Sequence, residues 1–113
     1  MIDIKIYRAQ DGVLTKFLVE GHAEYARHGQ DIVCSAISST GYNAINAAKQ
    51  IAGVDLKYKI NDGFMAVGLP DKLSKNKKMV VSIILETIVV GFKQIEKEYG
   101  KYVHISEEVE SYD

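Results

Sequence analysis

Gly21-His22-Ala23, a polar loop, and then Asp31-Ile32-Val33-Cys34-Ser35-Ala36-Ile37-Ser38-Ser39-Thr40-Gly41 form the stretch from which the rest of the chain is read. Asp31 is a good N-cap. Behind it Val33, Ile37, Ala44, Ala48 and Ala52 recur at helical spacing, which predicts a helix from Ile32 to about Ala52 with Gly53 as its stop. Cys34, the only cysteine, falls in the first turn. Unpaired backbone N–H groups and the positive end of the helix dipole favour a thiolate there, so the thiol pKa is expected to be lowered. His22 sits at the close of a strand, and a loop that folds back would bring its imidazole to Cys34. A cysteine and histidine so held are the minimum for thiol hydrolysis. A lone cysteine is also a common inert core residue, and His22 alone could be an ordinary surface side chain.

Upstream, Ile2, Ile4 and Ile6 alternate with Asp3, Lys5 and Tyr7, the pattern of a half-buried strand. Ala9-Gln10-Asp11-Gly12 reads as a turn. Val13 to Glu20 returns as a second strand with Val13, Thr15, Phe17 and Val19 on one side, giving an antiparallel hairpin. Gly21 ends it. The loop over 23–30 carries Tyr25, Arg27, His28 and Gly29, and a loop set between a base and a nucleophile suits a lid, with Gly21 and Gly29 as its hinges. Ser35, Ser38, Ser39 and Thr40 crowd the start of the helix at a cost in propensity; they either serve a site or simply cap and face water.

Downstream, Leu56, Tyr58 and Ile60 alternate with lysines, Asn61-Asp62-Gly63 turns the chain, and Phe64 to Leu69 returns as a second hairpin. Lys72, Lys75, Lys77 and Lys78 form a basic run, either a solvated face or a docking surface. A second helix is predicted from Leu73 or Lys78 to Tyr99. Its segment Met79 to Phe92 is apolar almost all round, but at about fourteen residues with Glu86 inside it is too short and polar to span a bilayer. A helix apolar on most faces needs cover on most faces, from a sheet and the first helix or from a second subunit. Lys101 to Ser106 supplies a last strand, and the acidic end over 106–113 is expected to fray. The order implies a single α+β domain over 1–113: two β-hairpins and a closing strand in a mainly antiparallel sheet, with two helices packed on it.

One hundred and thirteen residues suffice for a core without metal or disulfide support. The net charge of −1 argues against reliance on a strong basic field for nucleic acid. One cysteine and no leader-like start make the cytoplasm the expected compartment. Zinc held by Cys34 with His22, His28 and His104 would lack any Cys-x-x-Cys element or tight ligand spacing, so no metal or other cofactor is expected.

Gly21-His22-Ala23 followed by Gly29-Gln30-Asp31-Ile32-Val33-Cys34-Ser35-Ala36-Ile37-Ser38 resembles the bacterial ribosomal-processing cysteine protease (Prp) family, and the resemblance extends over nearly the whole chain. It implies a dimeric α+β protease that removes the N-terminal extension of one large-subunit ribosomal protein, cutting after an aromatic residue. In that family the cysteine at the Cys34 position is the nucleophile and the histidine at the His22 position the base. The implied partners are a ribosomal protein precursor and a second copy of the chain, with no membrane and no direct nucleic-acid contact. Beside it, the residues themselves offer the backbone N–H groups of Cys34 and Ser35 as oxyanion donors. Asp31 either orients His22 or only caps the helix. Ser38, one turn after Cys34, either lines the site or packs. The alternative is a non-catalytic ribosome-assembly module that contacts rRNA through Lys72 to Lys78.

Overall fold

The computed structural model describes residues 1–27 and 30–110. In chain order they form β1 (Ile2–Arg8), β2 (Leu14–Gly21), α1 (Ile32–Ala52), β3 (Lys57–Asn61), β4 (Phe64–Gly68), α2 (Lys75–Glu98) and β5 (Val103–Val109). The five strands make one sheet in the order β3-β4-β2-β1-β5. Three of its pairings are antiparallel and β1 runs parallel to β5, so the architecture is the expected α+β one. The alternation of β1 buries Ile2, Ile4 and Ile6, and helix α1 lays Val33, Ile37, Ala44 and Ala48 against the same core. Phe17 of β2 meets Phe92 of α2 edge to face, with ring centroids 5.2 Å apart. Each ring is fully buried, which stabilises the joint between sheet and helix by about 2 kcal/mol per side chain.

Two expectations need correction. In β2, pairing passes from Tyr7↔Lys16 directly to Arg8↔Leu14, so Thr15 is the extra residue of a bulge. The bulge turns Leu14 into the core, where it is fully buried, in place of the expected Val13 and Thr15. The closing strand does not stop at Ser106 and fray: its pairing with β1 continues to Arg8↔Val109, and the Glu110 N–H donates to the Arg8 carbonyl at 2.7 Å. The acidic stretch is held because Arg8 reaches Glu107 at 3.1 Å and grips Glu86 of α2 with two hydrogen bonds of 2.8 and 2.9 Å. Residues 111–113 lie outside the described residues.

Helix α2 starts at Lys75, between the two predicted starts, because Ser74 caps it by accepting from the Lys77 N–H at 3.2 Å. Val81, Leu85, Ile88, Val89 and Phe92 are buried. Met79, Ile83 and Val90 are more than half exposed, so the sheet and α1 leave one apolar strip of α2 uncovered. No helix among the described residues is long and apolar enough to cross a membrane.

Candidate active site

The site is built where β2 ends and α1 begins. Asp31 Oδ1 accepts from the N–H groups of Val33 and Cys34, both at 3.0 Å, and Oδ2 accepts from Tyr25 N–H at 2.9 Å and Ala26 N–H at 3.4 Å. One buried carboxylate thus caps the helix and fastens the preceding loop. Burial opposes its charge, but the backbone donors outweigh that and hold its pKa below the ordinary value. The four hydrogen bonds at 2.9–3.4 Å to the Asp31 carboxylate come from backbone N–H groups, the Cys34 side chain also acts on it, and none of these partners is His22.

Cys34 is half-buried, and its Sγ accepts from the Ala23 N–H at 3.4 Å. Its pKa is raised, not lowered as the helix start suggested. Burial is the main cause, the Ala23 N–H opposes it, and the Asp31 carboxylate adds to it. Beside burial, the cap that starts the helix is itself an anion, and it offsets the positive end of the dipole beside the sulfur. The two expected oxyanion donors are also engaged. Cys34 N–H is held by Asp31 Oδ1, and Ser35 N–H donates to the Asp31 carbonyl at 3.0 Å. The donor that reaches the sulfur is Ala23, which the sequence offered no reason to choose.

His22 follows β2 directly and stands against the β3–β4 turn. Its Nε2 is 4.0 Å from Asp62 Oδ1, and a Cβ on Gly63 would come within 2.7 Å of the same nitrogen. The Gly21 N–H donates to the Gly63 carbonyl at 2.9 Å. Gly21 itself has φ +99°, and a side chain there would run into the Met1 carbonyl, so only glycine fits this strand end. His22, Asp31, Cys34, Ser35 and Ser38 all line one cleft of about 650 Å³, with Gly21, Glu24, Asp62 and an apolar wall that includes Ile60, Phe64 and Tyr42. Ser38 is exposed within it. His104 lies on β5 opposite Asp3, away from the cleft. His28 and the predicted hinge Gly29 lie outside the described residues.

Residues 1–104 match the family model of the cysteine protease Prp. The chain belongs to the Prp cysteine protease family. It is 28% identical over 108 residues to the ribosomal processing cysteine protease Prp of Bacillus subtilis, covering 94% of this chain and 96% of that protein. Its fold is that of the S. aureus Prp protease solved with a covalently linked product peptide, with a TM-score of 0.84 at 24% identity over 96% of this chain and all of the other. The same protease solved with a substrate peptide gives a TM-score of 0.81 at 24% identity, again over 96% and 100% of the two chains.

The chain is thus a cysteine protease, and the loop that supplies Glu24 and Ala26 to the cleft is held by an aromatic clasp. Tyr25, from the loop between His22 and Cys34, meets Tyr102 and Tyr99 edge to face at 5.2 and 5.8 Å. With its N–H on Asp31, Tyr25 ties that loop both to the helix start and to the far end of α2. Among the described residues, no cluster of His, Cys, Asp and Glu is arranged to hold a metal ion.

Proposed function

We propose that this Prp-family protease removes the N-terminal extension of a large-subunit ribosomal protein precursor, with Cys34 as nucleophile and His22 as base. The observation that carries the reading is the shared cleft: Cys34 and His22 line it together, and the sulfur is fixed by the N–H of the residue next to His22. The relatives' name as ribosomal processing proteases supports the substrate. His22 takes the thiol proton as Sγ attacks the scissile carbonyl carbon. The tetrahedral oxyanion collapses, the C–N bond breaks, and His22 gives its proton to the leaving amine. Water, deprotonated by His22, then attacks the thioester, releasing the acid and restoring the thiol. With the N–H groups of Cys34 and Ser35 engaged, Ala23 N–H is the donor beside the sulfur that can pass to the oxyanion.

Asp31 supports the site by fixing the helix start and loop, and Ser38 lines it. The uncovered strip of Met79, Ile83 and Val90 supports a homodimer. The near-neutral charge supports a protein partner over nucleic acid, and the cytoplasm, where ribosomal proteins are made, is the compartment.

Mass spectrometry of the precursor incubated with the protease tests the reading. Wild type should cut one bond after an aromatic residue and leave the extension as a single fragment, whereas C34A and H22A leave the precursor whole. Binding without cleavage by wild type would overturn it in favour of an assembly factor.

A further inference from the structure

Asp31, the carboxylate nearest Cys34 in sequence, spends its oxygens on backbone N–H groups. His22 therefore needs another partner if its imidazole is to be held and its charge balanced. We infer that Asp62, in the β3–β4 turn, is the positioning residue for His22, an inference that rests on His22 being the base.

The geometry is that of a platform. Gly63 leaves room for the ring: an added Cβ would stand 2.7 Å from Nε2, 3.2 Å from Cε1 and 3.3 Å from Cδ2. The Gly21 N–H, on the residue before His22, is fastened to the Gly63 carbonyl at 2.9 Å. The turn thus holds both the backbone and the ring of the histidine. On that platform Nε2 looks toward Asp62 Oδ1 at 4.0 Å, longer than a direct hydrogen bond but within the range of a charge pair. A carboxylate on Nε2 fixes the tautomer, leaves Nδ1 to receive the thiol proton, and stabilises the imidazolium that results. Asp62 lies on an open turn with most of its side chain exposed, so it is free to close onto Nε2. A peptide in the cleft excludes water around both groups and strengthens the attraction. The remaining carboxylate in the cleft lining, Glu24, comes from the loop and not from the turn that carries the ring.

The test uses the fact that Cys34 is the only cysteine, so the rate of alkylation by iodoacetamide reads that thiol alone. Alkylation at neutral pH and steady-state cleavage of a precursor peptide are measured for wild type, D62N, D62E, H22A and the double variant H22A/D62N, each checked for folding by thermal melting. The expected result is that D62N slows alkylation and lowers kcat on the order of tenfold with KM little changed, that D62E restores most of the loss, and that D62N adds nothing in the H22A background. If H22A slows alkylation but D62N does not, Asp62 has no such role and the reading of His22 stands. If H22A itself leaves alkylation and cleavage unchanged, the base reading fails and takes this inference with it. A D62N effect of equal size with and without His22 would also overturn the inference, because Asp62 would then act on the fold and not through the imidazole.

Discussion

The Cys34 backbone N–H donates to Asp31 Oδ1 at 3.0 Å, and the same carboxylate helps hold the proton on the Cys34 thiol. One residue therefore sets the position of the thiol and opposes its ionisation. Asp31→Asn keeps an acceptor oxygen but removes the charge. The thiol should then ionise at lower pH, read as an alkylation rate that rises earlier in a pH series than in wild type. Asp31→Ala, which also removes the cap, should cost about 1–2 kcal/mol in urea unfolding. An unchanged alkylation profile in Asp31→Asn would contradict the electrostatic role.

The same carboxylate sets an acid limit on stability. Asp31 and Glu86 both have folded-state pKa values below their ordinary ones, Asp31 through backbone N–H donors that outweigh burial and Glu86 through Arg8. Groups shifted down contribute stability that is fully present above the ordinary carboxylate pKa, about 4, and is lost as pH falls through the lower folded value. The gap in urea midpoint between wild type and Asp31→Asn should stay level from pH 7 to 5 and narrow below pH 4. A gap that instead closes near neutral pH would point to a different group.

Arg8 joins three elements through Glu86, Glu107 and the Gly12 carbonyl. The carboxylates are more than a third exposed, so the network is partly screened. Arg8→Ala should lose about 1–2 kcal/mol at low ionic strength and less at 1 M salt. Hydrogen exchange should localise the loss to β5, beyond Ser106. Uniform destabilisation without faster exchange there would contradict the view that Arg8 is what pins the acidic strand end.

Tyr25 carries the loop onto Tyr99 and Tyr102. Tyr25→Ala should speed hydrogen exchange over 23–27 severalfold while leaving β1 and α2 unchanged, with global stability lowered by about 1 kcal/mol. Exchange that stays slow would show that the Asp31 hydrogen bonds alone hold the loop.

Much of this was legible in the residues. The alternation of Ile2, Ile4 and Ile6, the Asp31 cap and the Val33-Ile37-Ala44-Ala48 stripe are local signals that tertiary packing did not override. The bulge at Thr15 was not legible, because Leu14 and Val13 are equally apolar and only the partner strand decides which turns inward. The end of β5 was missed because acidic residues read as solvent-facing until Arg8, nearly the whole chain away, is placed among them. At the site, the motif pointed to the neighbourhood in which His22 and Cys34 line one cleft. The raised thiol pKa depends on burial and on the charge of the capping carboxylate, and neither is carried by the spacing of the motif. The nearness of His22 to Asp62 and Gly63 comes from a hairpin distant in sequence, to which spacing gives no clue.

The most direct measurement of the central claim is the intact mass of the protease mixed with a precursor peptide and quenched in acid within the first turnovers. Wild type should carry the N-terminal fragment of the peptide as a thioester, heavier than free enzyme by that fragment less one water, and peptide mapping should place it on Cys34; H22A should carry none. An adduct mapped to Ser35 or Ser38, or cleavage that persists in Cys34→Ala, would contradict the claim that Cys34 is the nucleophile.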